Sequence, residues 1–238
     1  MMYIRSILFY VLFILSTALV TSAVTFSRLF GQAAAWKMGQ IWGLNSNLLL
    51  RYICGIRIKI EGQEHIPTQA CVVVAKHQST WETTTLPLYL PPFVWVLKQE
   101  LMYIPLFGWA LKALDAIAIQ RSNPREALKK INNEGIKELQ NGRSVLIFPE
   151  GTRTAVGETG NYQPSAIMLA KKAEVPILLV AHNAGVCWPR GSILKQSGTI
   201  TLRFLPPISA QEVQEGKRND LLATCETRIE AACRELGG

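Results

Sequence analysis

The sequence predicts an α/β domain built on a mixed, largely parallel sheet flanked by helices, preceded by an N-terminal helical membrane anchor. Three observations carry this. Apolar, β-prone runs recur from Ile56 onward, most of them separated by helical patterns. The stretch before them, residues 1–54, is far more apolar than the rest of the chain. Two of the apolar runs end in short polar clusters, Lys76 to Glu82 and Phe148 to Thr154, which is where open α/β sheets place ligand groups.

The chain has 238 residues, 49% hydrophobic and 18% charged, enough to bury one good core plus an appendage. Its net charge of +8 suits either nucleic acid or an anionic membrane surface. The basic residues are scattered and no recognition-helix, zinc-finger or RNP-type pattern interleaves them, so the membrane is favoured and nucleic acid is not expected as a partner. The five cysteines, Cys54, Cys71, Cys187, Cys225 and Cys233, are odd in number and lack C-x-x-C spacing. They argue against a disulfide framework or structural zinc and for a reducing compartment, most simply the cytoplasm.

Taken in order, Ile7 to Val24 is free of charge and bracketed by Arg5 and Arg28. About 18 apolar residues is the lower edge of a bilayer span, so a spanning helix, a half-inserted helix and a signal peptide all remain open. Thr21-Ser22-Ala23 would serve as a cleavage site, but cleavage would export a domain with reduced cysteines, which ranks the signal peptide last. Ala33 to Tyr52 follows, with Trp36, Trp42 and Tyr52 beside Lys37 and Arg51, the composition of a headgroup-level helix. The competing reading is a helical hairpin packed on the domain's own core.

From residue 55 to 238 the pattern is that of a folded domain. Ile56, Ile58 and Ile60 alternate with Arg57, Lys59 and Glu61 as in a half-exposed strand. Further strands are expected at Ala70–Ala75, Phe93–Leu97, Ala116–Ile119, Ser144–Phe148, Val175–Ala181 and Thr199–Phe204. The clearest helix runs from Asn123 to Gln140: Asn123 caps, Pro124 takes the first helical position, Glu126 completes a capping box and Gly142 ends it. A last helix, about Asp220 to Leu236, carries an apolar stripe with no functional signal of its own.

His77 and Glu82 are the first candidate chemistry. A neutral imidazole accepts a proton near pH 7, and a carboxylate on its other nitrogen fixes the tautomer and stabilises the imidazolium, an arrangement suited to activating a hydroxyl. A histidine near a carboxylate is more often structural, and it is the strand-end position that favours function. Ser79 lies two residues away, but no serine in the chain sits in a Gly-x-Ser-x-Gly elbow, which weakens acyl-enzyme chemistry. Only His65, His77 and His182 exist and no His-Glu-x-x-His pattern joins them, so no metal site is expected. The second candidate is Glu150-Gly151-Thr152-Arg153: glycine permits close backbone approach, the hydroxyl and free N–H groups can donate to an oxyanion, and the guanidinium grips phosphate. Glu150 is expected to bind a substrate hydroxyl or position an arginine.

Lys76-His77-Gln78-Ser79-Thr80-Trp81-Glu82 with Phe148-Pro149-Glu150-Gly151-Thr152-Arg153-Thr154, in this order and separation, resembles the 1-acyl-sn-glycerol-3-phosphate acyltransferase family, the PlsC-like lysophosphatidic acid acyltransferases. The resemblance extends through Val96 to Leu101, Ile117 to Ser122, Val175-Pro176-Ile177, Ala181-His182-Asn183-Ala184-Gly185 and Trp188-Pro189-Arg190, roughly Gly55 to Ile208. It implies a glycerol-3-phosphate acyltransferase-like fold, anchored by N-terminal helices at the cytoplasmic face of a bacterial-type inner membrane. It further implies that His77 is the general base on the sn-2 hydroxyl of lysophosphatidic acid, oriented by Glu82. Glu150, Gly151, Thr152 and Arg153 would bind the acceptor and its phosphate, with Lys98 and Arg121 as further basic groups, and Val175, Pro176 and Ile177 would help form an acyl pocket. The co-substrate would be acyl-CoA or acyl carrier protein, with no cofactor.

The sequence departs from the family pattern twice. Glu82 stands where the family has aspartate, one methylene shorter, and Gln120 stands where an aspartate commonly precedes the arginine of the second block. Two rival readings differ in kind: transfer to another lysolipid such as a lyso-ornithine lipid, and a non-catalytic protein binding anionic lipid. The second gives no reason to place His77 with Glu82 on one strand-end loop and Glu150 with Arg153 on another.

Overall fold

The computed structural model describes residues 2–238. Two long helices come first, α1 (Met2–Ser27) and α2 (Gln32–Leu49), the latter extended by a wider helical turn over Leu50–Cys54 that Gly55 ends with φ +69°. Seven strands follow: β1 (Ile56–Glu61), β2 (Val72–Ala75), β3 (Phe93–Lys98), β4 (Ile117–Ile119), β5 (Ser144–Ile147), β6 (Ile177–His182) and β7 (Gly198–Ile208). Between and after them lie α3 (Trp81–Thr85), α4 (Phe107–Ala113), α5 (Pro124–Gln140), α6 (Ser165–Ala173), α7 (Ala184–Cys187), α8 (Ala210–Glu215) and α9 (Arg218–Glu235).

The strands form one sheet in the order β1-β7-β6-β2-β5-β3-β4. Neighbours run parallel except β6 and β7, which are antiparallel, so β7 and β1 run against the other five. Alternation along β2 explains the three layers: Val73 and Ala75 join one core and Val72 and Val74 the other. The first core is closed by Phe9, Val20 and Val24 of α1, Ala35 of α2, Trp81 of α3 and Ala110 of α4. The second is closed by Ile131 of α5, Leu169 of α6, Val213 of α8 and Ile229 of α9.

The expected helix at 123–140 is α5, with the Asn123 side chain accepting from the Glu126 N–H at 3.4 Å. The return bond of a capping box does not form, because the Asn123 N–H donates to the Gln120 carbonyl instead. A full box caps α8, at Ser209 and Glu212.

The N-terminal helices form the hairpin packed on the domain's own core. They pack on the sheet, and Gly43 marks how closely: a Cβ there would collide with the carbonyl oxygen of Thr84. Trp36 and Trp42 do not sit at a headgroup level but turn inward. Trp36 packs edge-on to Phe93 at 5.1 Å between centroids, and Trp42 stacks with Phe13 at 6.1 Å while its Nε1–H donates to Thr17 at 2.9 Å. Tyr52 does face outward. Opposite the packed face, α1 and the turn after it expose Ile4, Ile7, Val11, Ile14, Leu15 and Leu19, then Phe26, Leu29 and Phe30. Among the described residues Met2–Phe30 is the one helical stretch long and apolar enough to cross a membrane.

Candidate active site

The carboxyl ends of the five parallel strands bring the two polar clusters together. His77 lies two residues past the end of β2 and is held by its ring and its backbone. Its Nδ1 meets Glu82 Oε1 at 2.8 Å, its backbone N–H donates to Glu150 Oε2 at 2.8 Å, and its carbonyl accepts from the Thr154 N–H at 2.8 Å. The imidazole stacks on Phe148 with centroids 4.0 Å apart. With Nδ1 occupied, Nε2 is the nitrogen left to face a cavity.

Glu82, on the first turn of α3, is fully buried, and its side chain reaches the imidazole. Oε1 also accepts the N–H groups of Gln78 and Ser79 at 3.0 and 2.9 Å. Burial opposes its ionisation, yet the carboxyl stays below its usual range, held there by the bond to His77 and these backbone donors. Behind it, His182 at the end of β6 donates Nε2–H to the Lys76 carbonyl at 2.9 Å and accepts the Ala184 N–H on Nδ1 at 3.2 Å. Burial lowers its pKa, and this pairing fixes it as a neutral imidazole.

Beneath the loop lies a buried charge cluster that the sequence reading missed. Lys76 Nζ meets Glu150 Oε1 at 2.6 Å and Glu230 Oε1, from α9, at 2.7 Å. Tyr162 donates to Glu230 Oε1 at 2.9 Å and Thr154 to Glu150 Oε1 at 3.0 Å. Lys76 followed an uninterrupted apolar run, and that was its one signal: a lysine leaving a buried strand needs a carboxylate. Glu230 gave none, being a single acid beside an apolar stripe.

Glu150 is therefore not a substrate contact. Its side chain is fully enclosed, and its oxygens are taken up by Lys76, Thr154 and the His77 N–H. Of the rest of its cluster only Arg153 lines the cavity beside His77, whereas Gly151 turns the chain with φ +67° and Thr152 is exposed outside that cavity. Arg121 and Lys98 line it too, Lys98 in an exposed pair with Glu100 at 3.1 Å. Arg190 donates to the Arg153 carbonyl, which places a further guanidinium beside this cluster.

Val175, Pro176 and Ile177 are not brought into the site. Ile177 pairs with Val72 and the Val72 N–H donates to the Pro176 carbonyl, so the segment lies at the amino edge of the sheet, roughly 16 Å from His77 at about 3.3 Å per residue. The apolar cavity next to His77 is built elsewhere. It measures about 330 Å³ and is walled by Phe13, Val20 and Val24 of α1, Trp42 of α2 and Phe107 and Leu111 of α4. An imidazole with one free nitrogen, held in its tautomer by a carboxylate, thus opens onto an apolar chamber rimmed by arginines. Such a site can deprotonate a hydroxyl on an amphipathic, anionic molecule.

A sequence model described as "Acyltransferase" matches residues 57–183. The 1-acyl-sn-glycerol-3-phosphate acyltransferase of Pseudomonas aeruginosa is 41% identical over 231 residues, covering 96% of this chain and 88% of that one. The chain belongs to the acyltransferase family. A relative of the same name from Limnanthes douglasii is 27% identical over 77% of the chain and 66% of its own length. The fold of this acyltransferase is shared with the crystal structure of the 1-acyl-sn-glycerophosphate acyltransferase PlsC from Thermotoga maritima, with a TM-score of 0.82, 24% identity and coverage of 99% and 98% of the two chains. The family match spans His77, Glu82 and Arg153, whereas α1, α2 and Glu230 lie outside it.

Proposed function

We propose that this enzyme transfers a fatty acyl group from the thioester of acyl-CoA or acyl carrier protein to the sn-2 hydroxyl of lysophosphatidic acid, giving phosphatidic acid. The observation that carries the reading is the free Nε2 of His77 at the end of an apolar cavity whose opposite wall is made by α1 and α2. His77 Nε2 takes the hydroxyl proton as the oxygen attacks the thioester carbonyl. The tetrahedral intermediate then collapses, the carbon–sulfur bond breaks and the imidazolium returns the proton to the leaving thiolate. Glu82 keeps Nδ1 protonated and stabilises the imidazolium throughout. Arg153 holds the phosphate, with Gly151, Thr152, Arg121 and Lys98 around it, and Glu150 holds the His77 loop rather than substrate. No cofactor beyond the donor enters this scheme.

The acceptor reaches His77 from the lipid. Ser6, near the start of α1, accepts the Lys195 N–H at 2.9 Å, and Arg28, just past its end, pairs with Asp115 at 3.3 Å. A helix tied to the domain at both ends and exposing one apolar face lies in the membrane surface rather than across it. Free cysteines and a basic surface favour the cytoplasmic leaflet of a bacterial inner membrane. Release of CoA from acyl-CoA that depends on added lysophosphatidic acid tests the activity. His77→Ala abolishes it while leaving the thermal unfolding midpoint and vesicle binding in place; turnover at the wild-type rate in that variant removes His77 as the base.

A further inference from the structure

A second cavity, of about 370 Å³, lies on the other face of the sheet, between β3, β4 and β5 on one side and α5 and α6 on the other. Ile119, Ala127, Leu128 and Ile131 give it apolar walls, and Gln163 and Ser165 add polar groups. Val96, Phe148 and Arg121 line both cavities. The two chambers therefore share a wall at the carboxyl edge of the sheet, and the His77 ring stacks at 4.0 Å on Phe148, one of the side chains of that wall.

The faces differ in what surrounds them. The first cavity is walled by α1 and α2, whose outer surface is apolar. The second is roofed by α5, whose outer surface carries exposed Arg125, Lys129, Lys130, Glu134 and Lys137. One face belongs to lipid and the other to water. The proposed reaction makes the same division, because the acceptor comes from the membrane and the donor from solution. The donor's reactive sulfur sits at the end of a phosphopantetheine arm, a methylene and amide chain that ends in a phosphate.

We propose that the second cavity holds this phosphopantetheine arm, delivering the thioester past Phe148 to His77 from the water side. The inference rests on the reading of His77 as the base. Apolar walls suit the arm's methylenes and methyl groups, and Gln163 and Ser165 suit its amides. Arg125 and Lys129, one turn apart on the exposed side of α5 whose Pro124 and Leu128 line the cavity, outweigh Glu126, the single acid of that helix's first turn, and favour the phosphate, leaving Arg121 to the acceptor.

Leu128→Trp fills this cavity from its half-buried wall. In steady-state kinetics the KM for acyl-CoA rises at least about tenfold while the KM for lysophosphatidic acid is unchanged. A donor KM that stays put, or donor and acceptor KM values that rise together, overturns the proposal. Should the bulky variant unfold, Ser165→Cys provides a small one, in a chain whose five native cysteines are all buried. CoA slows its alkylation by N-ethylmaleimide and lysophosphatidic acid does not; protection by the lysolipid alone, or by neither, overturns the assignment. The arm is common to both donors, so Leu128→Trp penalises acyl-CoA and acyl carrier protein alike. Arg125→Glu penalises more strongly the donor whose phosphates or acidic surface lies on α5, which identifies the source. A wild-type enzyme that acylates lysophosphatidic acid from neither donor defeats the reading of His77 itself, whereas normal wild-type turnover with an unaffected Leu128→Trp variant defeats only the placement of the arm.

Discussion

The two halves of the site are held in opposite ways. His77 is fixed by a buried carboxylate on its ring, a second on its backbone, a stacked aromatic and a hydrogen bond to its carbonyl. The basic groups around it, Arg153, Arg121 and Lys98, are half-buried or exposed, and Lys98 is paired only with an exposed glutamate. In the proposed role of general base, His77 would act through one nitrogen in one direction, and misplacing it would be costly, which fits surroundings that leave it little freedom. A phosphate can be gripped from several directions by long side chains that adjust to it. Under the proposed mechanism, orientation is thus concentrated in buried charge, and anion binding is left to flexible groups at the rim.

The sharpest way to break this contrast is Glu82→Gln. The side chain keeps its size, but the carboxylate that fixes the His77 tautomer is gone, and kcat falls about 10²- to 10⁴-fold with little change in the KM for lysophosphatidic acid. Glu82→Asp retracts the oxygen that reaches His77 Nδ1 at 2.8 Å and restores only part of the rate. If Glu82→Gln turned over at the wild-type rate, the carboxylate would be a structural cap for the Gln78 and Ser79 N–H groups and nothing more.

The framework beneath should respond in stability rather than in chemistry. Lys76→Met leaves Glu150 and Glu230 facing each other without their cation, and breaking a buried pair in this way costs about 3–5 kcal/mol. Denaturant unfolding measures it. Adding Glu230→Gln to Lys76→Met removes one of the two stranded charges and recovers part of the loss. Equal destabilisation of the single and double variants would show that the three groups do not act as one cluster.

How far each region was legible in the sequence follows the same division. Strands and the α5 helix were readable because alternation and capping are local signals. His77, Glu82 and Arg153 could be singled out because polar residues at the ends of apolar runs stand out, and the fold brings the three to one edge of the sheet. Lys76 with Glu230 was not, since the pair spans 154 positions and depends on α9 docking beneath the β2 loop. Glu150 was misread for the same reason: an acid in a polar turn looks available until the lysine behind it is seen. Trp36 and Trp42 matched the composition of an interfacial helix, but composition does not say which face of a helix meets the sheet. The motif Val175-Pro176-Ile177 was placed at the acyl pocket by resemblance, and only the register of β6 against β2 puts it at the far edge.

The rim gives the smallest effect and the most telling one in kind. Arg153→Ala removes a guanidinium from the cavity edge without touching the bonds that hold His77, so its cost falls on binding. Charge-assisted hydrogen bonds contribute about 1.5–3 kcal/mol, which corresponds to a KM for lysophosphatidic acid raised about 10- to 100-fold, with kcat reduced far less than in Glu82→Gln. Arg153→Lys keeps the charge but loses the planar fork and recovers only part of the affinity. Arg190 donates to the Arg153 carbonyl and stays in place when the Arg153 side chain is removed, so some anion binding persists and the loss stays short of complete. An acceptor lacking phosphate, such as a monoacylglycerol, provides the control: its KM is indifferent to Arg153→Ala. A kcat loss as large as that of Glu82→Gln, seen equally with that neutral acceptor, would place Arg153 on the chemistry instead of the phosphate and dissolve the division between a rigid base and an adaptable rim.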